Sequence, residues 1–274
     1  MSANKSDKEL AFLQELYVAT DWGERFAQLV DEHVKLPKKK GRVLYVGAGT
    51  GGHAIAMQER ADDDVEFVCV DESEECLELA RAKAMVIRAD PVFRRTQLEA
   101  LGFEDDQFDL VVGDASLVAP ERLPEIISEM ARVAGPGGAV ALSVATASSF
   151  AEFYSIYWEA LRSAGLDEYG SEVETLIRER PTVATIEELA QREGLENVTS
   201  WTSIEEFDYE SGEEFLNAPL IADFLLPSWL ESLPDAETRA RVTQEIARII
   251  DDERQDMDFA LSVKATLVLG RKMR

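Results

Sequence analysis

Short apolar runs alternate with segments of helical spacing from residue 42 to about residue 145. The runs predict five β-strands, at residues 43–46, 65–70, 92–98, 108–112 and 139–145. Between them, apolar positions recur every three or four residues, which predicts helices over 53–60, 73–86 and 123–134. Strands that are almost entirely apolar and separated by helices are typical of a parallel sheet covered on both faces.

The chain before this alternation is predicted to be helical. Apolar side chains recur at helical spacing over residues 8–34, beginning with Leu10 and Leu13. We therefore predict an N-terminal helical cap over residues 1–40 and a main domain over residues 41–274.

The alternation loosens after residue 148. An aromatic-rich helix is predicted over residues 149–163, with most of its aromatic stripe in the core. A second helix is predicted over residues 185–193, opened by Thr185 and Glu188 at the spacing of a capping box.

Two further strands, at residues 198–209 and 260–269, bring the predicted sheet to seven. The segment between them, about residues 205–258, has a helical pattern, with Ser211 and Glu214 at capping-box spacing. It carries 16 acidic and 4 basic residues, and its apolar side chains suit either a lid over a ligand or a dimer surface. The fold class predicted is therefore α/β, a doubly wound seven-stranded Rossmann-like sheet with an N-terminal helical cap and a helical insertion before the last strand.

The net charge of the chain limits the classes of partner that it can bind. The 54 acidic residues outnumber the 28 lysines and arginines, giving a formal net charge of −26. So acidic a protein repels phosphate backbones, which disfavours a nucleic-acid partner. The one compact basic run, residues 38–40, is interpreted as a solvated loop, and a phosphate clamp is the alternative.

The remaining composition points to the cytoplasm. Only two cysteines occur, Cys69 and Cys76, too few for a disulfide framework or a cysteine zinc site, and no metal site is predicted. No apolar run approaches the roughly 20 residues that span a bilayer. The first residues lack the apolar stretch of a signal peptide. We expect a soluble cytoplasmic protein with no membrane partner.

A glycine-rich loop follows the first strand. Gly47, Gly49 and Gly52 satisfy GxGxxG, a spacing that lets a backbone turn sharply and approach a ligand closely. The helix that follows offers free N–H groups to a polar ligand. Asp71 ends the next strand, where a carboxylate accepts hydrogen bonds from ribose hydroxyls. By itself this pattern leaves a nicotinamide dinucleotide and S-adenosylmethionine as alternatives.

Five segments, taken together and in order, carry a family resemblance. The chain resembles the class I S-adenosylmethionine-dependent methyltransferases, in particular the small-molecule group that includes ubiquinone and sterol methyltransferases, through residues 43–51, 68–71, 99–103, 108–112 and 132–138. The resemblance implies S-adenosylmethionine as cofactor and methyl transfer, EC class 2.1.1, as the reaction.

The resemblance also implies cofactor contacts. Around the methionine half it places Gly47, Ala48, Gly49 and Gly51, and on the ribose diol it places Asp71.

The adenine and the acceptor side are assigned in the same way. Glu72 would flank the adenine, and Gln97 and Leu98 would touch its edge. The residues placed where cofactor and acceptor meet are Asp114, Ala115 and Ser116. Tyr17 and Trp22 lie where related proteins close the site, although ordinary packing explains them as well.

Three departures from the family pattern stand out. Tyr45 replaces an acid that helps to orient the methionine end, and Gln97 replaces an aspartate. Residues 116–118 read Ser-Leu-Val, where the family often has histidines. No obvious catalytic base is therefore present.

Asp114 and His53 are the candidate catalytic residues. Asp114 is placed to contact the acceptor, although it could bind only the cofactor. His53 opens the helix after the glycine loop and could line the site or simply occupy its first turn. His33, the other histidine, is expected to be structural. A dedicated base is not obligatory, because positioning and exclusion of water can supply most of the acceleration of methyl transfer.

The leading hypothesis is a methyltransferase acting on a small organic acceptor. An acidic rim favours a neutral or cationic acceptor, and a homodimer is left open. Two alternatives remain: a non-catalytic methyltransferase-like binding or scaffold subunit, and a NAD-dependent oxidoreductase. The absence of a Tyr-x-x-x-Lys pair argues against the oxidoreductase.

Overall fold

A computed structural model describes residues 5–87, 89–253 and 258–274. Residues 1–4 of the predicted cap and residues 254–257 of the predicted insertion lie outside these ranges. The chain forms two compact units, of which the first comprises the residues up to 144 together with 182–203 and 265–274. The second unit comprises residues 145–181 and 204–264. The division into a cap over 1–40 and a domain over 41–274 stays a prediction.

Seven strands form one mixed sheet in the order β3-β2-β1-β4-β5-β7-β6. The strands are β1 (Lys40–Val46), β2 (Asp64–Asp71), β3 (Val92–Arg95), β4 (Phe108–Asp114), β5 (Ala134–Ala145), β6 (Leu195–Tyr209) and β7 (Phe259–Lys272). The pairs β1–β2, β1–β4, β2–β3 and β4–β5 are all parallel. The predicted doubly wound seven-stranded α/β fold is confirmed, and its strand order reverses between β1 and β4, where ligands bind in such sheets.

The register of the central strands positions the site. Val46, the last residue of β1, pairs with Val70 of β2 and with Gly113 of β4. Because the three strands are parallel, the residues that follow each of these positions meet at one edge of the sheet. Those residues are Gly47, Asp71 and Asp114, so three segments distant in sequence converge on one place.

The helices of the first unit cover this sheet. They are α1 (Asp7–Leu13), α2 (Glu24–His33), α3 (Gly52–Glu59), α4 (Glu74–Ile87), α5 (Leu123–Val133) and α8 (Val183–Arg192), with a 3₁₀ turn at Pro120–Arg122. α1 and α2 are joined without a break by a π-helix, Gln14–Gly23, in the region predicted to be helical. On the inner face of α5, Ile126, Ile127 and Met130 are buried in the same core as Leu44 and Val111.

The second unit contains α6 (Ala151–Ser163), α7 (Gly170–Glu179), α9 (Gly212–Asn217), α10 (Leu226–Trp229) and α11 (Ala236–Glu253), with a π-helix at Leu220–Leu225 and a 3₁₀ turn at Asp167–Tyr169. The aromatic stripe of α6 is largely core, as predicted: Phe153 stacks on Trp229 with ring centroids 4.0 Å apart. Residues 205–209 of the predicted insertion belong to β6, and its helices begin at Gly212. Whether this segment acts as a lid or a dimer surface stays a prediction.

Two predicted helix starts had different outcomes. Ser211 caps α9, and its side chain accepts a hydrogen bond from the backbone N–H of Glu214 at 3.1 Å, as predicted. The prediction that Thr185 opens α8 was wrong. Thr182 is the N-cap, and its hydroxyl accepts from the backbone N–H of Thr185 at 3.1 Å. Thr182 is extended and follows Pro181, so the helix already begins at Val183.

No helix among the described residues is both long and apolar enough to cross a bilayer. Within the same residues, no cluster of three or more His, Cys, Asp or Glu is arranged to hold a metal ion.

Candidate functional site

The turn between β1 and α3 depends on glycine geometry. Gly47 and Gly49 have φ angles of +71° and +52°, in the left-handed region that favours glycine. A Cβ on Gly47 would lie 2.4 Å from the backbone oxygen of Asp114. The turn therefore passes so close to the end of β4 that only glycine fits at this position.

Asp71 fixes the far side of the turn. Its Oδ2 accepts a hydrogen bond from the backbone N–H of Gly49 at 2.7 Å, and its Oδ1 accepts from Ser73 at 2.9 Å. Burial raises the pKa of the Asp71 carboxyl above its usual value, against the hydrogen bonds from Ser73 and Gly49, which lower it. A carboxylate can accept about four hydrogen bonds, so Asp71 is oriented by these backbone donors without being saturated.

The π-helix Gln14–Gly23 forms the wall opposite the turn. The Oε1 of Gln14 accepts a hydrogen bond from the Cys76 thiol at 3.2 Å, and its amide nitrogen lies beside Gly49, 2.8 Å from where a Cβ would stand. Trp22 is buried and its indole N–H donates to the Ser116 hydroxyl at 2.9 Å. π-helical segments are rare and occur frequently at functional sites.

Two cavities open on either side of this turn. The larger, about 520 Å³, runs along the π-helix and reaches Asp31 and His53. The smaller, about 350 Å³, reaches Asp71 and Glu72. Their common lining residues are Gln14, Gly47, Asp114, Ser116 and Leu117. An elongated ligand could therefore occupy both by passing over Gly47.

Asp114 lies on the border between the two cavities. Its Oδ1 accepts a hydrogen bond from the backbone N–H of Ser116 at 2.9 Å. Burial raises the pKa of this carboxyl above its usual value, although the hydrogen bonds from Ser116 and the charge of His53 lower it. Asp114 is thus available to both cavities.

A hydrogen-bonded chain leads from the larger cavity through Tyr45, His53 and Asp31. The Tyr45 hydroxyl lies 2.8 Å from His53 Nδ1, and His53 Nε2 lies 2.9 Å from Asp31 Oδ1, which also accepts from Arg60 at 2.5 Å. Burial acts to raise the pKa of Asp31, but hydrogen bonds from Arg60 and His53 outweigh it and bring the pKa below its usual value.

The protonation of this chain follows from its partners. The ionised Asp31 carboxylate can only accept, so the hydrogen bond requires a proton on His53 Nε2. In the neutral ring, Nδ1 then accepts from the Tyr45 hydroxyl. Burial, and then the charge of Asp114, raise the pKa of Tyr45 well above its usual value, so it is a neutral phenol at neutral pH.

Ion pairs stiffen the walls of both cavities. Arg122 binds both carboxylate oxygens of Glu72, at 2.7 and 3.1 Å, and also pairs with Glu99. Across the larger cavity, the Lys83 ammonium pairs with Glu15 at 2.6 Å. Glu72, predicted to flank an adenine, is therefore held in place by Arg122.

The structure brings together most of the residues predicted from the sequence. Those that line one or both cavities are Trp22, Gly47, Ala48, Gly49, His53, Asp71, Glu72, Leu98, Asp114 and Ser116.

The other predicted site residues line neither cavity. Gly51, with φ +79°, caps α3 and packs against Ala80, where a Cβ would lie 2.7 Å from the alanine methyl. Tyr17 is 54% exposed, Gln97 forms a bridge with the backbone of Ala100, and Ala115 is buried. Their cofactor contacts stay predictions.

Sequence reasoning missed four residues that shape the site. Gln14, Asp31, Lys83 and Arg122 all come from helical segments far from the glycine loop in the chain. None belongs to a motif. No local pattern in the sequence points to any of them.

Comparisons with known proteins agree with this geometry. Residues 43–138 match a family model described as a methyltransferase domain. A phosphatidylethanolamine N-methyltransferase from Cereibacter sphaeroides is 41% identical over 106 residues, which cover 37% of this chain and 49% of that protein. A ubiquinone/menaquinone biosynthesis C-methyltransferase from Geobacter sulfurreducens is 36% identical over 126 residues, covering 43% and 48%. The chain thus spans about half the length of these relatives.

Among solved structures, the YcgJ protein of Bacillus subtilis superposes with a TM-score of 0.60 at 18% identity, covering 92% of this chain and 99% of that one. At this identity the likeness concerns the fold alone. It agrees with the strand order described above.

Proposed function

The chain carries a class I S-adenosylmethionine-dependent methyltransferase domain, and from that premise we propose that the protein transfers a methyl group from S-adenosylmethionine to a small organic acceptor. The observation that carries the proposal is the oriented carboxylate of Asp71, which bonds to the Gly47–Gly49 turn and lines the smaller of two cavities that share Gly47 as a lining residue. The finer assignments below, to individual residues and to an acceptor class, are likewise our proposals.

The residues of the site suit this cofactor. Asp71 can accept from both hydroxyls of a ribose, and the smaller cavity beside Glu72 and Leu98 can take the adenine. The methionine half would lie against Gly47 and Gly49, in the larger cavity. When bound, S-adenosylmethionine supplies an electrophilic methyl group on a sulfonium.

The charge around the larger cavity favours a neutral or cationic acceptor. Four carboxylates line it, those of Glu15, Glu24, Asp31 and Asp114. The ammonium of Lys83 is the only lysine or arginine charge among its lining residues, and it is already paired with Glu15. With Glu15 paired to Lys83 and Asp31 paired to Arg60, the carboxylates of Glu24 and Asp114 keep the cavity net negative, which disfavours an anionic acceptor.

The Tyr45–His53–Asp31 chain can take up the proton that an acceptor loses. As the hydroxyl of Tyr45 receives a proton, it passes its own proton to His53 Nδ1, and the resulting imidazolium lies against the Asp31 carboxylate. Only the Tyr45 end of this chain is buried, so the proton leaves toward the exposed Asp31. His53 would then act through Tyr45, while Asp114 orients the acceptor.

A ligand panel tests the proposed function. Saturating S-adenosylmethionine or S-adenosylhomocysteine should raise the melting temperature, because a ligand that binds only the folded state stabilises it by about 2.7 kcal/mol at 100 times its Kd. NADH should leave it unchanged. Differential scanning fluorimetry with all three ligands provides the measurement.

Each alternative has its own outcome in this panel. Stabilisation by NADH alone would mean an oxidoreductase. The position of Tyr45, where the family carries an acid, favours a non-catalytic binding subunit as the second candidate. Stabilisation by S-adenosylhomocysteine would support the binding subunit if no acceptor in a metabolite panel led to formation of S-adenosylhomocysteine from S-adenosylmethionine.

The Tyr45–His53–Asp31 chain gives a sharper prediction. For an acceptor that loses a proton, Tyr45→Phe should lower kcat roughly 100-fold or more, the usual contribution of acid–base catalysis. The Kd for S-adenosylhomocysteine should change little, because the ring stays in place. Release of S-adenosylhomocysteine measures kcat, and calorimetry measures Kd.

Tyr169→Phe is the matched control, since Tyr169 lies in the second unit and lines neither cavity. An unchanged kcat in Tyr45→Phe would remove the chain from the mechanism. A weakened Kd with unchanged kcat would make Tyr45 a cofactor-binding residue instead.

A further inference from the structure

The second compact unit contains a cavity of its own. It measures about 500 Å³, within the range of small-molecule sites, and all its lining residues fall within residues 147–180. None of them lines either cavity of the first unit.

Most of the wall is apolar, and part of it is open to solvent. Val173 is buried, whereas Trp158 is 36% exposed and Ile177 is 52% exposed. Gly170 allows this arrangement, because a Cβ there would lie only 3.2 Å from the Trp158 ring. Exposed aromatic and branched side chains around a concavity are typical of a binding site for an apolar group.

One cation stands in this wall. Arg180 lines the cavity, and its guanidinium lies over the Phe150 ring at 4.7 Å. One NH2 group of Arg180 donates to the Ala145 carbonyl at 3.3 Å. Among the residues that the structure describes, no carboxylate pairs with Arg180. In a chain of net charge −26, a guanidinium at a cavity without a counter-ion is unusual.

Two polar groups at the same place lack well-formed hydrogen bonds. The Nε of Arg180 and the hydroxyl of Tyr154 are both buried without a hydrogen bond of good geometry, although Arg180 and Trp229 lie close enough to the hydroxyl to lower the pKa of Tyr154 by hydrogen bonding, and both Arg180 and Tyr154 line the cavity. Such groups carry a desolvation cost that a polar ligand atom can relieve. The pKa of Tyr154 is raised by burial, and the nearby charge of Arg180 opposes that rise.

The loop that holds Phe150 beneath Arg180 is strained. Ser148 and Phe150 have φ angles of +72° and +65°, a conformation that costs non-glycine residues of order 1–3 kcal/mol. Ser149 anchors the loop between them: its hydroxyl donates to the Thr146 carbonyl at 2.6 Å and accepts from the Lys264 N–H at 2.9 Å. Strain of this kind concentrates at ligand-binding sites.

We propose that this cavity binds a monoanionic amphiphile, a carboxylate attached to an apolar body, with Arg180 as the partner of the carboxylate. The planar guanidinium matches a carboxylate in a bidentate manner, and Trp158, Val173 and Ile177 cover the apolar body. A single cation in a strongly acidic protein favours a monoanion over a dianion such as a phosphate monoester. The cavity shares no lining residue with the two cavities of the first unit, and the proposal does not depend on the function proposed for them.

Isothermal titration calorimetry of the full chain with octanoate tests the proposal. Octanamide and octylammonium, which have the same chain length without the negative charge, should bind about tenfold more weakly or not at all. Arg180→Leu should weaken octanoate binding at least about tenfold, and Arg180→Lys, which keeps the charge but loses the fork, should fall between.

Ser155→Phe, on the exposed side of α6, fills the cavity without touching the core and should also weaken octanoate binding. Melting temperatures show which variants fold, and Arg180→Lys carries the test if Arg180→Leu does not. Three results would each overturn the proposal: no octanoate binding at millimolar concentration, equal affinity in the folded Arg180 variant, or octylammonium binding as tightly as octanoate. Equal affinity in Ser155→Phe would place the octanoate elsewhere and overturn it too.

Discussion

Gly47→Ala is expected to abolish cofactor binding and to lower the free energy of unfolding by about 3 kcal/mol. The left-handed backbone costs an alanine about 1–2 kcal/mol. The added Cβ would also lie 2.4 Å from the Asp114 backbone oxygen, so β1 and β4 must move apart. For a domain of this size, that loss corresponds to a fall in melting temperature of roughly 6–12 °C. Denaturant unfolding and calorimetry with S-adenosylhomocysteine measure the two effects.

Gly194→Ala is the matched control. Gly194 also has a positive φ, +83°, and lies in the first compact unit, but a Cβ there would meet nothing within 4 Å. In Gly194→Ala the free energy of unfolding should fall only by the cost of the left-handed backbone, about 1–2 kcal/mol, and the affinity for S-adenosylhomocysteine should stay the same. Equal losses in the two variants would show that the close approach to Asp114 has no energetic consequence.

Asp71→Ala should weaken binding of S-adenosylmethionine roughly 100-fold or more, since it removes a charged acceptor facing two ribose hydroxyls. Asp71→Asn keeps the shape and one acceptor oxygen, and should lose less. Titration calorimetry measures both affinities. Unchanged affinity in Asp71→Ala would refute the assignment of Asp71 to the ribose.

The raised pKa of Asp71 adds a pH dependence. Because the ionised carboxylate accepts hydrogen bonds from the ribose more strongly than the protonated acid does, affinity for the cofactor should begin to fall at a higher pH than an ordinary aspartate with a pKa near 3.9 would give. The contribution of Asp71 to folding stability changes with pH in the opposite direction. The contribution of Asp71 to stability is fully present below the unfolded pKa and is lost as the pH rises through the raised folded pKa. Asp71→Asn should show neither dependence.

The sheet and the turn could be predicted because their signals are local. A run of apolar residues ending in Gly47 and Gly49 needs no knowledge of the rest of the chain to indicate a strand and a ligand-binding turn. Asp71 could be predicted for a related reason: parallel strands of similar length end at one edge, so an acid that ends the second strand must lie beside the turn.

The opposite wall could not be predicted, because it depends on which helix faces meet. Gln14 lies in the π-helix and Asp31 in the amphipathic helix α2, neither belongs to a sequence motif, and only packing against the turn gives them a role. His53 was a candidate from its place after the glycine loop, but its partners Tyr45 and Asp31 lie 8 and 22 positions away, with no motif to join them.

The prediction of where α8 begins was wrong for a different reason. Thr185 is followed three positions later by Glu188, as in a capping box, whereas Thr182 is followed by Thr185, so the spacing favours the wrong threonine. The choice is made by Pro181, which disfavours helical backbone in the residue before it and allows the helix to begin directly after Thr182.

The π-helix Gln14–Gly23 makes the site sensitive to chain length rather than to side-chain identity. Removing one residue ahead of Trp22 would shift the register of the later residues of this wall relative to the glycine turn, because successive residues of a helix point in different directions around its axis. The indole would then swing away from Ser116, and Asp31 away from His53, although each side chain is still present in the chain. A deletion in this stretch therefore changes which side chains face the cavities. Homologues that differ here by one residue would have differently shaped cavities above the same glycine turn.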